Sequence, residues 1–198
     1  MRVIAGKLKG RRLKTPTWDG LRPTSDKLRE TLFNILAPRI AGARVLDGYA
    51  GTGAVGIEAL SRSAAAVTFV ERDRRAQALI EENLAHCGVA DGYVIIRASV
   101  ARAVAGLLAD SFDIMIFDPP YDERADDLLA AAGEHLAADG VLVLEHARRV
   151  ASPERAGRLC RSREVHAGDS SLSFYVANSS GASPVDVRRP FRGRRRRG

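Results

Sequence analysis

The stretch Asp118-Pro119-Pro120-Tyr121 follows the apolar run DIMIF at 113–117. Prolines donate no ladder hydrogen bond, so a strand must stop there. The stop gathers a carboxylate, an exposed carbonyl and an aromatic ring at a strand's carboxyl end, where open α/β sheets bind ligands. This set suits methyl transfer to a planar amine. An exocyclic amine's lone pair is delocalised into its ring, which makes the nitrogen a poor nucleophile. The Asp118 carboxylate and the Pro119 carbonyl would accept from both N–H groups, return density to nitrogen and aim the lone pair. Pro119 and Pro120 would hold those acceptors rigid, and Tyr121 would stack on an extruded base. Proximity and orientation then supply most of the rate. By itself the motif does not separate adenine from guanine, or a base from a glutamine amide.

A second constellation lies upstream. Gly51, Gly53 and Gly56 form GxGxxG within DGYAGTGAVGIE at 47–58, after a strand and before a helix. Such glycines bring a ligand close to a helix N-terminus, and Glu71, at the end of the next strand, can take both ribose hydroxyls. This much fits a nicotinamide dinucleotide as well as S-adenosylmethionine. Asp47 favours the latter. It ends the first strand where a pyrophosphate would avoid negative charge, and an acid there suits a sulfonium and an ammonium.

The elements that must position these residues alternate. Strands are expected at 43–48, 65–71, 93–98, 113–118 and 140–146, separated by helices that include 73–88, with Gly88 as C-cap. That rhythm means a mostly parallel sheet covered on both faces. The segments 160–168 and 171–178 alternate across Asp169-Ser170 and read as an antiparallel hairpin at the sheet's edge. The expected fold is therefore α/β: a Rossmann-like, seven-stranded sheet whose last two strands are antiparallel. Before it, 2–6 and 11–15 flank KLKG as a small basic hairpin. A helix then begins at RPTSD, with Thr24 or Ser25 as N-cap and Leu28, Leu32, Ile35 and Leu36 on its core face.

Composition narrows the class. The 198 residues are 45% hydrophobic and 28% charged, as a globular protein requires. No stretch reaches the ~20 apolar residues of a membrane span, and the basic N-terminus lacks the apolar core of a secretory signal. Cys87 and Cys160 stand far apart and the four histidines are scattered, so neither a metal site nor a disulfide framework is expected, and a reducing cytoplasm is. The net charge of +7 is segregated. Residues 1–29 carry nine Lys/Arg against Asp19 and Asp26, and 179–198 carry seven arginines against Asp186, while the remainder is acidic. Two basic ends on an acidic body are a handle for a polyanion.

The segments VIAGKLKGRRLKTP, LRPTSDKLRETLFNIL, VLDGYAGTGAVGIEALSRSAAAVTFVERD and IFDPPY together resemble the RsmD family of small-subunit ribosomal RNA guanine-N2 methyltransferases. AGDSSLSFY at 167–175 is similar to that family's closing hairpin, so the resemblance runs from about residue 2 to 178. It implies S-adenosylmethionine-dependent methylation of one guanine's exocyclic N2 in small-subunit (16S) ribosomal RNA, within the assembled or assembling particle, by a monomer. The cofactor contacts it implies are Asp47, Gly51, Thr52, Gly53, Glu71, Arg72, Ser99 and Asp118, and the catalytic motif is Asp118, Pro119, Pro120 and Tyr121. RNA contacts are expected from Arg2, Lys7, Lys9, Arg11, Arg12, Lys14 and Arg22. Residues 1–23 would be the basic extension, 24–178 the methyltransferase domain and 179–198 a disordered arginine-rich tail. Three departures stand out. Gly48 replaces an apolar residue, Ser99 replaces an acid that would read adenine, and the tail lies outside the pattern. Adenine-N6 methylation of DNA or RNA is the nearest alternative. A nicotinamide-dependent oxidoreductase is a more distant one, since it leaves the basic hairpin unused.

Overall fold

Alternate residues of the central strands face two different apolar layers. The computed structural model describes residues 1–18, 25–120 and 125–178. The chain runs α1 (Asp26–Ile40), β1 (Arg44–Gly48), α2 (Ala54–Ser61), β2 (Ala66–Val70), α3 (Arg74–Cys87), β3 (Tyr93–Ile96) and α4 (Val100–Val104). It continues with β4 (Phe112–Phe117), α5 (Ala125–Gly133), β5 (Leu136–Ala147), β6 (Arg155–Ala156), β7 (Leu159–Ala167) and β8 (Ser170–Ala177). Strand order is β3-β2-β1-β4-β5-β8-β7-β6. The first five strands are parallel, and β8, β7 and β6 are added antiparallel.

Val45, Ile114, Ile116, Val141 and Val143 point to a core shared with α1, α2 and α3. Their neighbours Leu46, Met115, Phe117, Leu142 and Leu144 point to the other core, with α4 and α5. Burial on both faces explains the near-continuous apolar runs of these strands. Local signals set the helix ends. The Ser25 hydroxyl accepts from the Leu28 N–H at 3.2 Å and caps α1, Asp73 caps α3, and Gly88 closes α3 in the left-handed conformation at φ 73°.

Among the described residues the sheet holds eight strands, one more than the sequence pattern predicts. The extra one, β6, is only two residues long, and folds back on β7 through Gly157 at φ 56°. The closing hairpin turns at Gly168-Asp169, one residue earlier than expected, because Gly168 supplies the positive φ of 64°. The N-terminal hairpin differs more. Its only bridge is Arg2 with Arg12, supported by Val3 N–H to Arg11 O and Leu13 N–H to Met1 O. Gly10 N–H also donates to Val3 O within the hairpin, but several other backbone donors are spent on the body. Those of Ile4 and Ala5 reach the Glu58 carboxylate at 2.7 and 3.0 Å, and that of Leu8 reaches the Ser61 hydroxyl at 2.9 Å. Val3 and Leu13 are buried in the α1–α3 core. Gly6 allows the close approach, since a Cβ there would stand 2.0 Å from the Ser61 carbonyl oxygen.

Candidate active site

The chain leaves β1 toward β2 and β3, then crosses to β4 on the other side of β1. The carboxyl ends of β1 and β4 therefore flank the topological switch point, the usual ligand crevice of such sheets. Gly48 pairs in register with Phe117, which places the residues after β1 beside Asp118. A cleft of about 890 Å³ opens there.

One wall is the glycine loop. Tyr49, Gly51 and Gly53 have positive φ of 62°, 55° and 75°, which turns the chain sharply into α2. The loop is held by its neighbours: Ala50 N–H donates to Val70 O, and Gly51 N–H to a Glu71 carboxylate oxygen at 2.9 Å. The other Glu71 oxygen accepts from the N–H groups of Arg72 and Asp73, each at 2.8 Å. A carboxylate has about four acceptor positions, so three backbone bonds leave one for a ligand hydroxyl rather than the expected pair. Thr52 is buried and lines the cleft, as do Gly51, Glu71, Arg72 and Ser99. Gly53 does not line it. A Cβ there would meet Ile80 at 3.2 Å on the core side, so this glycine serves the turn. Gly56 serves packing, because a Cβ would lie 2.2 Å from Phe69. The hydroxyl of Ser99 caps α4 by accepting from Arg102 N–H at 3.3 Å, so its first duty is structural. The space that Gly48 leaves is filled by the Phe117 ring, 2.4 Å from where its Cβ would be. A glycine in place of an apolar residue would be expected to loosen the end of β1, but the ring keeps it packed.

Asp47 lies beneath this loop, 3% exposed, and accepts from Gly56 N–H at 2.8 Å. Burial pushes its carboxyl up to about 8; the Gly56 bond opposes this, and the charges of Glu71 and Asp118 add to it. A buried acid this reluctant to ionise wants a cation. With Asp47, Glu71 and Asp118 all lining the cleft, a pyrophosphate would meet carboxylates where it needs donors. An ammonium or sulfonium meets the reverse.

Asp118, Pro119 and Pro120 extend from β4 into the same cleft, while Tyr121 falls outside the described residues. The facing wall went unseen in the sequence. Lys27 of α1, Glu145 and His146 of β5 and Asp169 of the β7–β8 turn all line it. The signal available was the strand-end rule, which applies to β5 as much as to β4. His146 is no stray histidine: its Nε2 lies 2.9 Å from Ser173 Oγ and 3.6 Å from Glu164. Among the described residues, no group of three or more His, Cys, Asp or Glu could hold a metal ion, and no helix is long and apolar enough to cross a membrane.

The basic residues separate into classes. Arg2, Lys7, Lys9, Arg11, Arg12 and Lys14 are all exposed, but Lys14 pairs with Glu82 at 2.9 Å and Arg11 donates to His86 O at 3.5 Å. Arg29, counted in the N-terminal charge, is fully buried and bonds Arg2 O at 2.6 Å and Asp26 at 2.8 Å, so it offers nothing to a polyanion. Arg22 and the tail from 179 lie outside the described residues.

Residues 1–176 match the family described as conserved hypothetical protein 95. Ribosomal RNA small subunit methyltransferase D of Escherichia coli K12 is 36% identical over 190 residues, covering 94% of this chain and 94% of its own. A protein of Bacillus subtilis 168, provisionally named rRNA methyltransferase YlbH, is 38% identical and covers 88% of this chain and 98% of its own. Among solved structures, yhhF of Escherichia coli, provisionally designated a methyltransferase, superposes with a TM-score of 0.80 at 30% identity, over 90% of this chain and 98% of that one.

Proposed function

The chain belongs to the RsmD family, described as conserved hypothetical protein 95, and from that premise we propose an S-adenosylmethionine-dependent methyltransferase of small-subunit ribosomal RNA, acting on a guanine N2. The observation that carries the reading is a juxtaposition. The Asp47–Glu71 cradle and Asp118-Pro119-Pro120 line one cleft at the switch point.

The residues present fit the cofactor. Asp47 would hold its cationic methionine end, Glu71 one ribose hydroxyl, and Ser99 and Arg72 the rim beyond. Bound there, the cofactor supplies an electrophilic methyl on a sulfonium that departs as a neutral thioether. The chain does the rest. Asp118 and the Pro119 carbonyl accept from the two N2–H groups, aim the lone pair, and keep water from the nitrogen. The proton released as the N–C bond forms leaves along the hydrogen bond to Asp118. Tyr121 stacks on the base. No strong base is required, because the leaving group makes transfer downhill.

In this reading residues 1–23 dock the RNA through Arg2, Lys7, Lys9, Arg12 and Arg22, and 24–178 perform transfer. The tail 179–198 adds unspecific attraction. The protein acts as a monomer in the cytoplasm, on an assembled or assembling small subunit. The test is transfer of a labelled methyl to small subunits from cells lacking this protein, followed by nucleoside analysis. Label in N2-methylguanosine supports the reading; label in N6-methyladenosine gives the site to adenine instead; no transfer to RNA removes it.

A further inference from the structure

Asn83 of α3 is fully buried and every polar atom of its side chain is used. Its Oδ1 accepts from Lys14 N–H at 2.7 Å, and its Nδ2 donates to Lys14 O at 3.2 Å and to Thr52 O at 2.9 Å. Lys14 closes the basic hairpin, and Thr52 stands between the two positive-φ glycines of the cradle. One amide therefore clamps both. Lys14 itself does not line the cleft, and neither do the other described residues of the hairpin. A second anchor runs from the hairpin to α2, where Glu58 and Ser61 hold it, but that anchor reaches the helix body and not the loop.

We propose that Asn83 is a positioning residue that couples the hairpin to the cradle, so that filling the cleft and docking a polyanion on the hairpin reinforce each other. The inference rests on the reading of the cleft given above. A side-chain amide has one acceptor and two donors to share among these three backbone groups. If the loop carbonyl of Thr52 shifts, Nδ2 must follow or lose a buried bond, and Lys14 O sits on the same nitrogen. An ordered loop therefore orders the hairpin's exit. Coupling of this kind is reciprocal by linkage, so RNA held by the hairpin tightens the cleft by the same factor. The device makes chemical sense for an enzyme whose substrate is large and whose cofactor is small.

Amide hydrogen exchange on the full chain, with and without S-adenosylhomocysteine, tests this without measuring turnover. In the native protein the product should slow exchange at Gly51–Gly53 directly, and at Val3, Leu13 and Lys14 by about tenfold through the clamp. In Asn83→Ala the cradle response should remain, while the response at Val3 and Leu13 vanishes. Glu58→Gln loosens the hairpin at its other anchor, so exchange there should rise but still respond to the product. A native hairpin indifferent to a product that protects the cradle would overturn the coupling. So would an Asn83→Ala hairpin that still responds. If Asn83→Ala fails to fold, the native comparison decides alone. A protein whose cradle shows no protection does not hold this product, and then the cofactor assignment falls together with the coupling.

Discussion

Asp118 and Asp47 do opposite work with the same functional group. Asp118 sits exposed at a strand end, where the proposed reaction has its carboxylate face the substrate, whereas Asp47 is buried beneath a loop. Asp118→Ala is expected to bind S-adenosylhomocysteine like the native protein yet lose ~3 kcal/mol or more of transition-state stabilisation, as removal of a positioned acceptor does. More than about a tenth of native turnover, ~1.4 kcal/mol, would refute its role. For Asp47 the folded carboxyl is raised from 3.8 to about 8. The folded chain then binds a proton more tightly than the unfolded one, so the ligand-free protein loses stability as pH climbs from about 4 through about 8. Asp47→Asn keeps an acceptor for Gly56 N–H but removes the titration. Its Tm should overtake that of the native protein as pH approaches 9, while its cofactor affinity collapses; parallel Tm curves would contradict the assignment. Cofactor binding to the native chain should release a proton near neutral pH, visible as a dependence of binding heat on the buffer. Both acids could be picked from the sequence because each ends an apolar run. Glu145 and His146 close the apolar run of β5 and fall under the same rule, whereas Asp169 does not, because only the pairing of β8 with β5 brings its turn to that wall.

The elements were legible wherever a local rule decides them. Strand period separates Val45, Ile114 and Val141 from Leu46, Met115 and Leu142, and caps at Ser25, Asp73 and Gly88 end helices within a residue of expectation. What stayed hidden depends on partners far apart in sequence. Hairpin donors at Ile4, Ala5 and Leu8 meet acceptors 53 or 54 residues later, and no periodicity reveals that. The two-residue β6 is likewise too short to carry a pattern. The glycine motif was read correctly as a turn but with roles merged. Only Gly56 sets how closely α2 packs on β2. In Gly56→Ala the new methyl would lie 2.2 Å from Phe69 and 2.8 Å from Val67. Overpacking of this kind costs about 1–3 kcal/mol, which outweighs the ~1 kcal/mol gain in helix propensity. Urea denaturation should show a lower midpoint with unchanged slope. A midpoint at or above the native value would mean that α2 can retreat from the sheet.

Across the whole molecule, the proposed hold on RNA divides between charge and anchoring. The hairpin's backbone is bonded to α2 and α3, so its cations stand at fixed positions relative to the cleft. Lys14 is already paired with Glu82, while Lys7 and Arg12 are exposed and have no salt bridge among the described residues. Removing one cation that neutralises a phosphate should flatten the log–log salt dependence of RNA binding by about 0.7–0.9. Lys7→Ala with Arg12→Ala is therefore expected to flatten it by nearly two such steps, and Lys14→Ala by less than one. A full step for Lys14→Ala, half the change in the double variant, would show that the ion pair with Glu82 opens on binding. Removing 179–198 should weaken binding chiefly at low salt, where unspecific attraction counts most, and leave the methylated position unchanged. The central claim, one guanine N2 methylated by the cleft that joins Asp47 to Asp118, is tested most directly by mass mapping of small-subunit RNA. The cells would lack this protein and be resupplied with either the native chain or Asp118→Ala. A single guanine is expected to lose its N2 methyl in the deleted cells, regain it with the native chain and stay bare with Asp118→Ala. A methylation pattern identical in all three, or a restored methyl on adenine, would contradict it.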